Sequence, residues 1–182
     1  QLKRDIRKPL ILMTPKSLLR HKRAVSSLEE LKLGSTFHRL LWEDGEHAHG
    51  ERPKLVKDDK IRRVVLCSGK VYYDLYEERE KRGIDDVYLV RVEQLYPFPL
   101  KALVTGLSRF KKADIVWCQE EPKNMGSWTF VEPYLEWVLS QTAGKTKRPR
   151  YVGRPASAAT ATGLMSKHMA QLKAFLDEAF AE

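Results

Sequence analysis

The chain has 182 residues, 42% hydrophobic and 31% charged, which is enough for one globular domain with a sizeable core and too apolar for a disordered segment. No apolar run approaches the ~20 residues of a membrane span, and Gln1-Leu2-Lys3-Arg4 opens with neither a signal-peptide core nor an initiator Met, as expected of a processed chain or an excised fragment. The formal net charge of +9 is segregated: residues 1–28 carry eight Lys or Arg against one acid, Asp5, residues 140–175 carry seven and no acid, and the remainder is net acidic. Two solvated faces, or contact with an anionic partner or an acidic neighbouring surface, both fit that division.

Five short apolar runs recur along the chain, at Leu10–Met13, Val64–Cys67, Val87–Val92, Ile115–Cys118 and, more weakly, Arg150–Val152. The middle three are rich in Val and Ile with few charges, the pattern of strands covered on both faces in a parallel sheet. Between them lie stretches of helical period: Val71 to Arg82 with Gly83 as a C-cap, Leu100 to Phe110, Thr129 to Leu139, and Gly163 to Phe180. Alternating strands and helices predict an α/β fold, an open and mostly parallel five-stranded sheet flanked by helices on both faces. Gly45 to Asp59 is polar, with Gly, Pro and charges throughout, and reads as a surface loop. Residues 1–182 are expected to form a single domain. Cys67 and Cys118 each end an apolar run and are expected to be buried, reduced thiols, in keeping with a cytoplasm-like compartment.

Candidate sites follow the ends of the strands, where open α/β sheets carry their functional loops. Cys67-Ser68-Gly69-Lys70 stands where a phosphate loop would, but its one glycine favours a tight turn with Ser68 or Gly69 capping the next helix. His47 and His49 make a poor metal site on a loop without a third ligand, and His168 on an apolar stripe reads as a satisfied, half-buried residue. Glu93 to Pro99 is a proline-stiffened loop. Glu120 and Glu121 could do acid–base chemistry, although with no nucleophile or metal cluster in view they read better as charges at the start of the next helix. Gly153 to Gly163 is a small-residue segment suited to an interface, or to an anion held by Arg154.

Five of these blocks together carry a resemblance. Thr14-Pro15-Lys16-Ser17-Leu18-Leu19-Arg20, Ser68-Gly69-Lys70-Val71-Tyr72-Tyr73-Asp74-Leu75, Val92-Glu93-Gln94-Leu95-Tyr96-Pro97, Gln119 to Gly126 and Tyr151 to Ala158 stand in family order across the chain. They resemble the C-terminal domain of the decarboxylating component of 2-oxoglutarate dehydrogenase, a transketolase-like enzyme. The resemblance implies that thiamine diphosphate and Mg²⁺ are bound by preceding domains, that the whole enzyme is a homodimer in the cytoplasm or the mitochondrial matrix, and that the succinyl group passes to the lipoyl domain of a dihydrolipoyl succinyltransferase component. The family's Gly-Asp-Gly diphosphate motif and substrate histidines are absent, so no catalytic, cofactor-binding or metal residue is carried over to this chain, which is expected to be inactive alone. The resemblance further implies a part in dimer contacts, assigned here to Arg154, Ser157 and Trp128, and an allosteric effector site at Gln94 and Lys101. Positions near Thr36, Arg39 and Ala102 depart from the acyl-CoA ligands of relatives, which leaves acetyl-CoA, AMP or no effector open. A free-standing nucleotide- or nucleic-acid-binding module is the alternative that the basic segments raise, but no basic–aromatic interleaving supports it.

Overall fold

Arg63–Cys67 forms the central strand of the sheet, with all five residues buried. The structure, a computed structural model, describes residues 3–44 and 54–181. Strand β1 is Leu40–Trp42, β2 Arg63–Cys67, β3 Val87–Val92, β4 Asp114–Pro122 and β5 Arg150–Arg154; the helices are α1 Val71–Arg82, α2 Leu100–Leu107, α3 Trp128–Ser140 and α4 Met165–Phe180. The strand order is β1-β3-β2-β4-β5. β3, β2, β4 and β5 run parallel, and only the edge strand β1 is antiparallel, to β3.

Alternation along each strand sorts its side chains between two cores, as a period of two requires. Val64, Leu66, Val90, Ile115 and Trp117 pack with Leu103 and Leu107 of α2 and Val131, Leu135 and Val138 of α3. Val65, Cys67, Val87, Leu89, Val116, Cys118 and Val152 pack with Leu75 of α1 and Phe175, Leu176 and Ala179 of α4. Helices thus cover both faces, and the expected fold class holds. Both cysteines are buried and free, and burial raises their thiols far above the ordinary range, so they behave as core residues.

The fifth strand is not the expected one. Leu10–Met13 lies outside the sheet and exposed, and Leu40–Trp42 takes the edge position instead. Three residues flanked by polar side chains give no alternation to read, which is why β1 was not anticipated from its sequence. What holds β1 in place is tertiary. Trp42 lies against α2 where Gly106 has no side chain. Just past β1, Glu43 accepts two bonds from the Arg79 guanidinium (2.5 and 2.7 Å) and one from the Leu89 amide (2.7 Å), while Arg79 also donates to the Val87 carbonyl (2.9 Å). Burial pushes the Glu43 carboxyl up, and Arg79, itself almost fully buried, opposes that rise.

The amino edge of the sheet is closed by two arginines. Arg62 donates to the carbonyls of Phe180 and Ala181, and Arg63 to those of Glu178, Ala179 and Ala181, so the orphan carbonyls at the end of α4 are satisfied by cations. α1 ends as expected, at Gly83 with φ 64°, its amide bonded to Arg79 and Glu80 carbonyls. Its start differs: no side chain caps it, and Gly69 supplies only a positive φ of 74° for the turn. Of Gly45 to Asp59, residues 45–53, with His47 and His49, lie outside the described residues, and Asp58–Lys60 is a single 3₁₀ turn.

Candidate functional site

The connection from β2 crosses to one side of the sheet and that from β4 to the other, so the topological switch point lies between them, at their carboxyl ends. Four loops meet along this edge. Across the switch point Lys70 Nζ bonds Asp74 (2.7 Å) and lies 3.9 Å from Glu120, whose other oxygen is 3.5 Å from Arg154. Burial raises the Asp74 carboxyl above its ordinary range against the pull of Lys70.

The β4–α3 loop is organised by a residue the sequence did not single out. Gln119, 3% exposed, accepts from the Trp117 indole N–H (3.1 Å) and the Trp128 amide (2.9 Å) through Oε1, and its Nε2 donates to the carbonyls of Glu121, Pro122 and Met125 (3.3, 3.2 and 2.7 Å). The bound Trp128 amide belongs to the first residue of α3, so Gln119 does the helix-start work expected of Glu120 and Glu121. Those two lie in β4 itself, looped out where Gln119 pairs with Gly153 and Pro122 with Arg154. Gly126, at φ 66°, leaves space for the amide, since a Cβ there would stand 2.9 Å from Nε2. An amide buried at the end of a strand has no periodic signal, which is why only the structure reveals it.

The β5–α4 side is joined to this loop by Asn124, whose side chain donates to the Ser157 carbonyl (2.9 Å) and accepts from the Ser157 amide (3.0 Å). Arg154 is buried, and one of its terminal nitrogens donates to His168 Nδ1 at 2.9 Å, which places the proton of a neutral His168 on Nε2. His168 is thus half-buried and partnered, as expected. Residues 155–161 are all exposed. Trp128 is enclosed within the chain's own core and packs against Tyr151, with ring centroids 5.4 Å apart.

In the β3–α2 loop the Gln94 amide donates to the Pro97 carbonyl (2.5 Å), and the Tyr96–Pro97 peptide is cis. Phe98 tucks under the loop against Tyr134, whereas Tyr96 is exposed. Lys101 stands exposed in the first turn of α2. Gln94 and Lys101 therefore bracket one ordered loop, with the Gln94 donor turned into that loop.

Both carboxylates of the switch point face cations of their own chain, and among the described residues no group of three His, Cys, Asp or Glu could hold a metal ion. Nor is any described helix long and apolar enough to cross a membrane. A hollow on the opposite, amino side is lined by Lys57, Asp58, Asp59, Arg109, Lys111 and Lys112, with Arg109 already paired to Asp44 and Asp58. The C-terminal basic segment is partly neutralised within the fold, by Arg150 on Glu178 and Lys173 on Asp177.

Residues 25–180 match the family described as 2-oxoglutarate dehydrogenase C-terminal. The chain belongs to that family. It is 73% identical over 179 residues to a 2-oxoglutarate dehydrogenase E1 component of Brucella anthropi, and 72% identical to those of Brucella ovis and Brucella abortus, with 98% of this chain covered in each case. It spans 18% of the length of those relatives.

Proposed function

We propose that this chain is the C-terminal part of a 2-oxoglutarate dehydrogenase E1 component and serves its assembly and regulation, with the decarboxylation carried out by the rest of the polypeptide. The observation that carries this reading is the match to E1 components over 98% of the chain but only 18% of their length. Thiamine diphosphate and Mg²⁺ would be held outside this chain, whose sequence lacks the family's Gly-Asp-Gly motif and substrate histidines. In this reading the whole enzyme is a cytoplasmic homodimer that hands its succinyl group to dihydrolipoyl succinyltransferase. The small-residue segment around Arg154 and Ser157, with Trp128 beneath the adjoining loop, contributes to its contacts. Any effector, acetyl-CoA or AMP, sits beside Gln94 and Lys101, because these two bracket a rigid loop at the functional edge of the sheet.

The central test compares the intact polypeptide with residues 1–182 alone in 2-oxoglutarate decarboxylation with thiamine diphosphate and Mg²⁺. Turnover is expected from the intact protein alone; turnover by this chain overturns the reading. Calorimetry of acetyl-CoA and of AMP on the intact protein and on its Gln94→Ala, Lys101→Ala variant tests the effector placement, and binding unchanged by the two substitutions rejects it.

A further inference from the structure

The loops that lead into β2, β4 and β5 bring an array of lysines to the amino edge of the sheet. Lys57, Lys111 and Lys112 line the hollow there, which has a volume of about 620 Å³. The Lys145 amide donates to the Lys111 carbonyl (2.9 Å) and Thr146 Oγ1 to the Ala113 carbonyl (2.9 Å), so the loop that carries Lys145 and Lys147 lies alongside. All five lysines are exposed, and among the described residues no carboxylate pairs with any of their ammonium groups. Lys147 donates only to the Thr142 carbonyl (2.8 Å).

The hollow is not built to grip a small anion. Arg109, the planar cation that could hold one through two parallel bonds, is already engaged by Asp44 (2.5 Å) and Asp58 (2.8 Å) and lies over the Phe110 ring at 4.8 Å. Asp58 and Asp59 also line the hollow and repel a small anion inside it. Nor does the surface suit a permanent seam. None of the exposed large apolar side chains among the described residues falls within residues 54–62, 108–114 or 141–148. Lysine is depleted from the buried cores of lasting interfaces, because its ammonium holds its water. Mobile, hydrated charges of one sign instead steer an oppositely charged surface into contact and release it again.

We propose that this lysine array is a transient docking surface for an acidic face of the succinyl-accepting partner, the dihydrolipoyl succinyltransferase. This rests on the reading of the chain as part of an E1 component. In that reading the acceptor is the protein that must arrive and leave with every turnover, which is the traffic such a surface serves. The amino edge is also free to receive it. Its helix-end carbonyls are satisfied within the chain by Arg62 and Arg63, whereas the small-residue segment assigned to assembly lies at the opposite edge.

Two rates measured side by side on the full-length protein test the proposal: succinyl transfer to the intact succinyltransferase, and 2-oxoglutarate decarboxylation with ferricyanide as electron acceptor. Lys111→Glu, Lys112→Glu is expected to raise the half-saturating concentration of the succinyltransferase about tenfold and to leave the ferricyanide rate unchanged. The wild-type half-saturating concentration should climb between about 50 and about 200 mM salt, and that of the variant far less. Lys81→Glu, Lys173→Glu reverses the same charge on α1 and α4, at side chains that are each 77% exposed, and should behave as wild type. Wild-type saturation in the Lys111, Lys112 variant overturns the proposal, and so does an equal loss in the control pair. Inhibition of transfer by inorganic triphosphate that the variant escapes at matched ionic strength makes the hollow a phosphate site and overturns it too. Absence of decarboxylation by the intact wild-type protein would instead overturn the E1 reading itself.

Discussion

Gln119→Ala should cost more than any single surface change at the carboxyl edge. The substitution removes the acceptor for two buried donors, the Trp117 indole and the first amide of α3, and the donor for three loop carbonyls, of which Met125 at 2.7 Å is bound best. Leaving a buried donor unsatisfied costs about 1–3 kcal/mol, and a made bond contributes about 1 kcal/mol net. Two donors at the lower half of that range and one good bond come to about 3–5 kcal/mol, against the ~5–15 kcal/mol that holds a domain of this size together. The variant should fold, with its urea midpoint lowered and its m-value unchanged in far-UV circular dichroism. Gln119→Glu separates the two halves of the side chain: it keeps the volume and an acceptor oxygen but turns a second oxygen toward three carbonyls. It is expected to lose at least as much as alanine. A loss under about 1 kcal/mol for Gln119→Ala, or a milder loss for Gln119→Glu, would refute the assignment of Gln119 as the brace of this loop.

Glu43→Gln should destabilise the chain by about 3–5 kcal/mol because it strands the buried Arg79 cation, and the pair Glu43→Leu, Arg79→Met should recover much of that loss in the same urea experiment. Arg63→Ala frees the Glu178 and Ala179 carbonyls at the end of α4, while Ala181 keeps Arg62, and should cost about 2–3 kcal/mol, with accelerated exchange confined to the last turn of α4. Gly106→Ala drives a methyl into the Trp42 ring, and a loss of about 1–3 kcal/mol with a shifted Trp fluorescence is the expected result. The acid limb of stability should report on α1 and α4: the Arg82 hydrogen bond holds Glu78 below its ordinary 4.5, and Lys173, then Arg82, hold Asp177 below its ordinary 3.8. Depressed carboxyls stabilise fully above their unfolded values and lose that contribution as pH falls through the folded ones, so melting temperature should drop between about pH 5 and about pH 3, and Arg82→Gln should flatten that drop.

The parts of the fold legible in sequence are those where one local pattern decides the outcome. β3 and α1 have the bounds their patterns predict, Val87–Val92 and Val71–Arg82, because a strand covered on both faces is a solid apolar run and Gly83 supplies the positive φ that ends the helix. Leu10–Met13 carries the same strand signal, and the signal says only that a run wants burial, not where. β1 has the opposite character: its three residues join the sheet through Trp42 on Gly106 and through an ion pair between positions 36 apart, contacts that no window of sequence contains. At the site, the loop blocks were visible as blocks, but the roles inside them were not. Glu120 and Glu121 attracted attention as charges, whereas the organising group is the neutral Gln119, since burial rather than charge sets how much a polar group matters there.

The two edges of the sheet are finished differently, and that difference bears on function. At the amino edge, polar groups are satisfied by long-range charge: Arg62 with Asp86, Arg63 with Asp114 and Arg150 with Asp114 tie strand starts to one another, and Arg150 with Glu178 ties β5 to α4. Such an edge is complete within the chain. At the carboxyl edge neutral amides brace the loops, Gln119 to its own loop, Asn124 to Ser157 and Gln94 to Pro97, beside the ion pairs of Lys70, Asp74, Glu120 and Arg154. The bracing turns these amides inward, and the outward surface carries Tyr96, the exposed Glu93, Lys101, Glu121 and Lys123, and the run from Pro155 to Ala161, which is exposed throughout and mostly small. A surface of that kind is stiff before contact, so little ordering entropy is lost on docking, and its small side chains let another backbone approach closely.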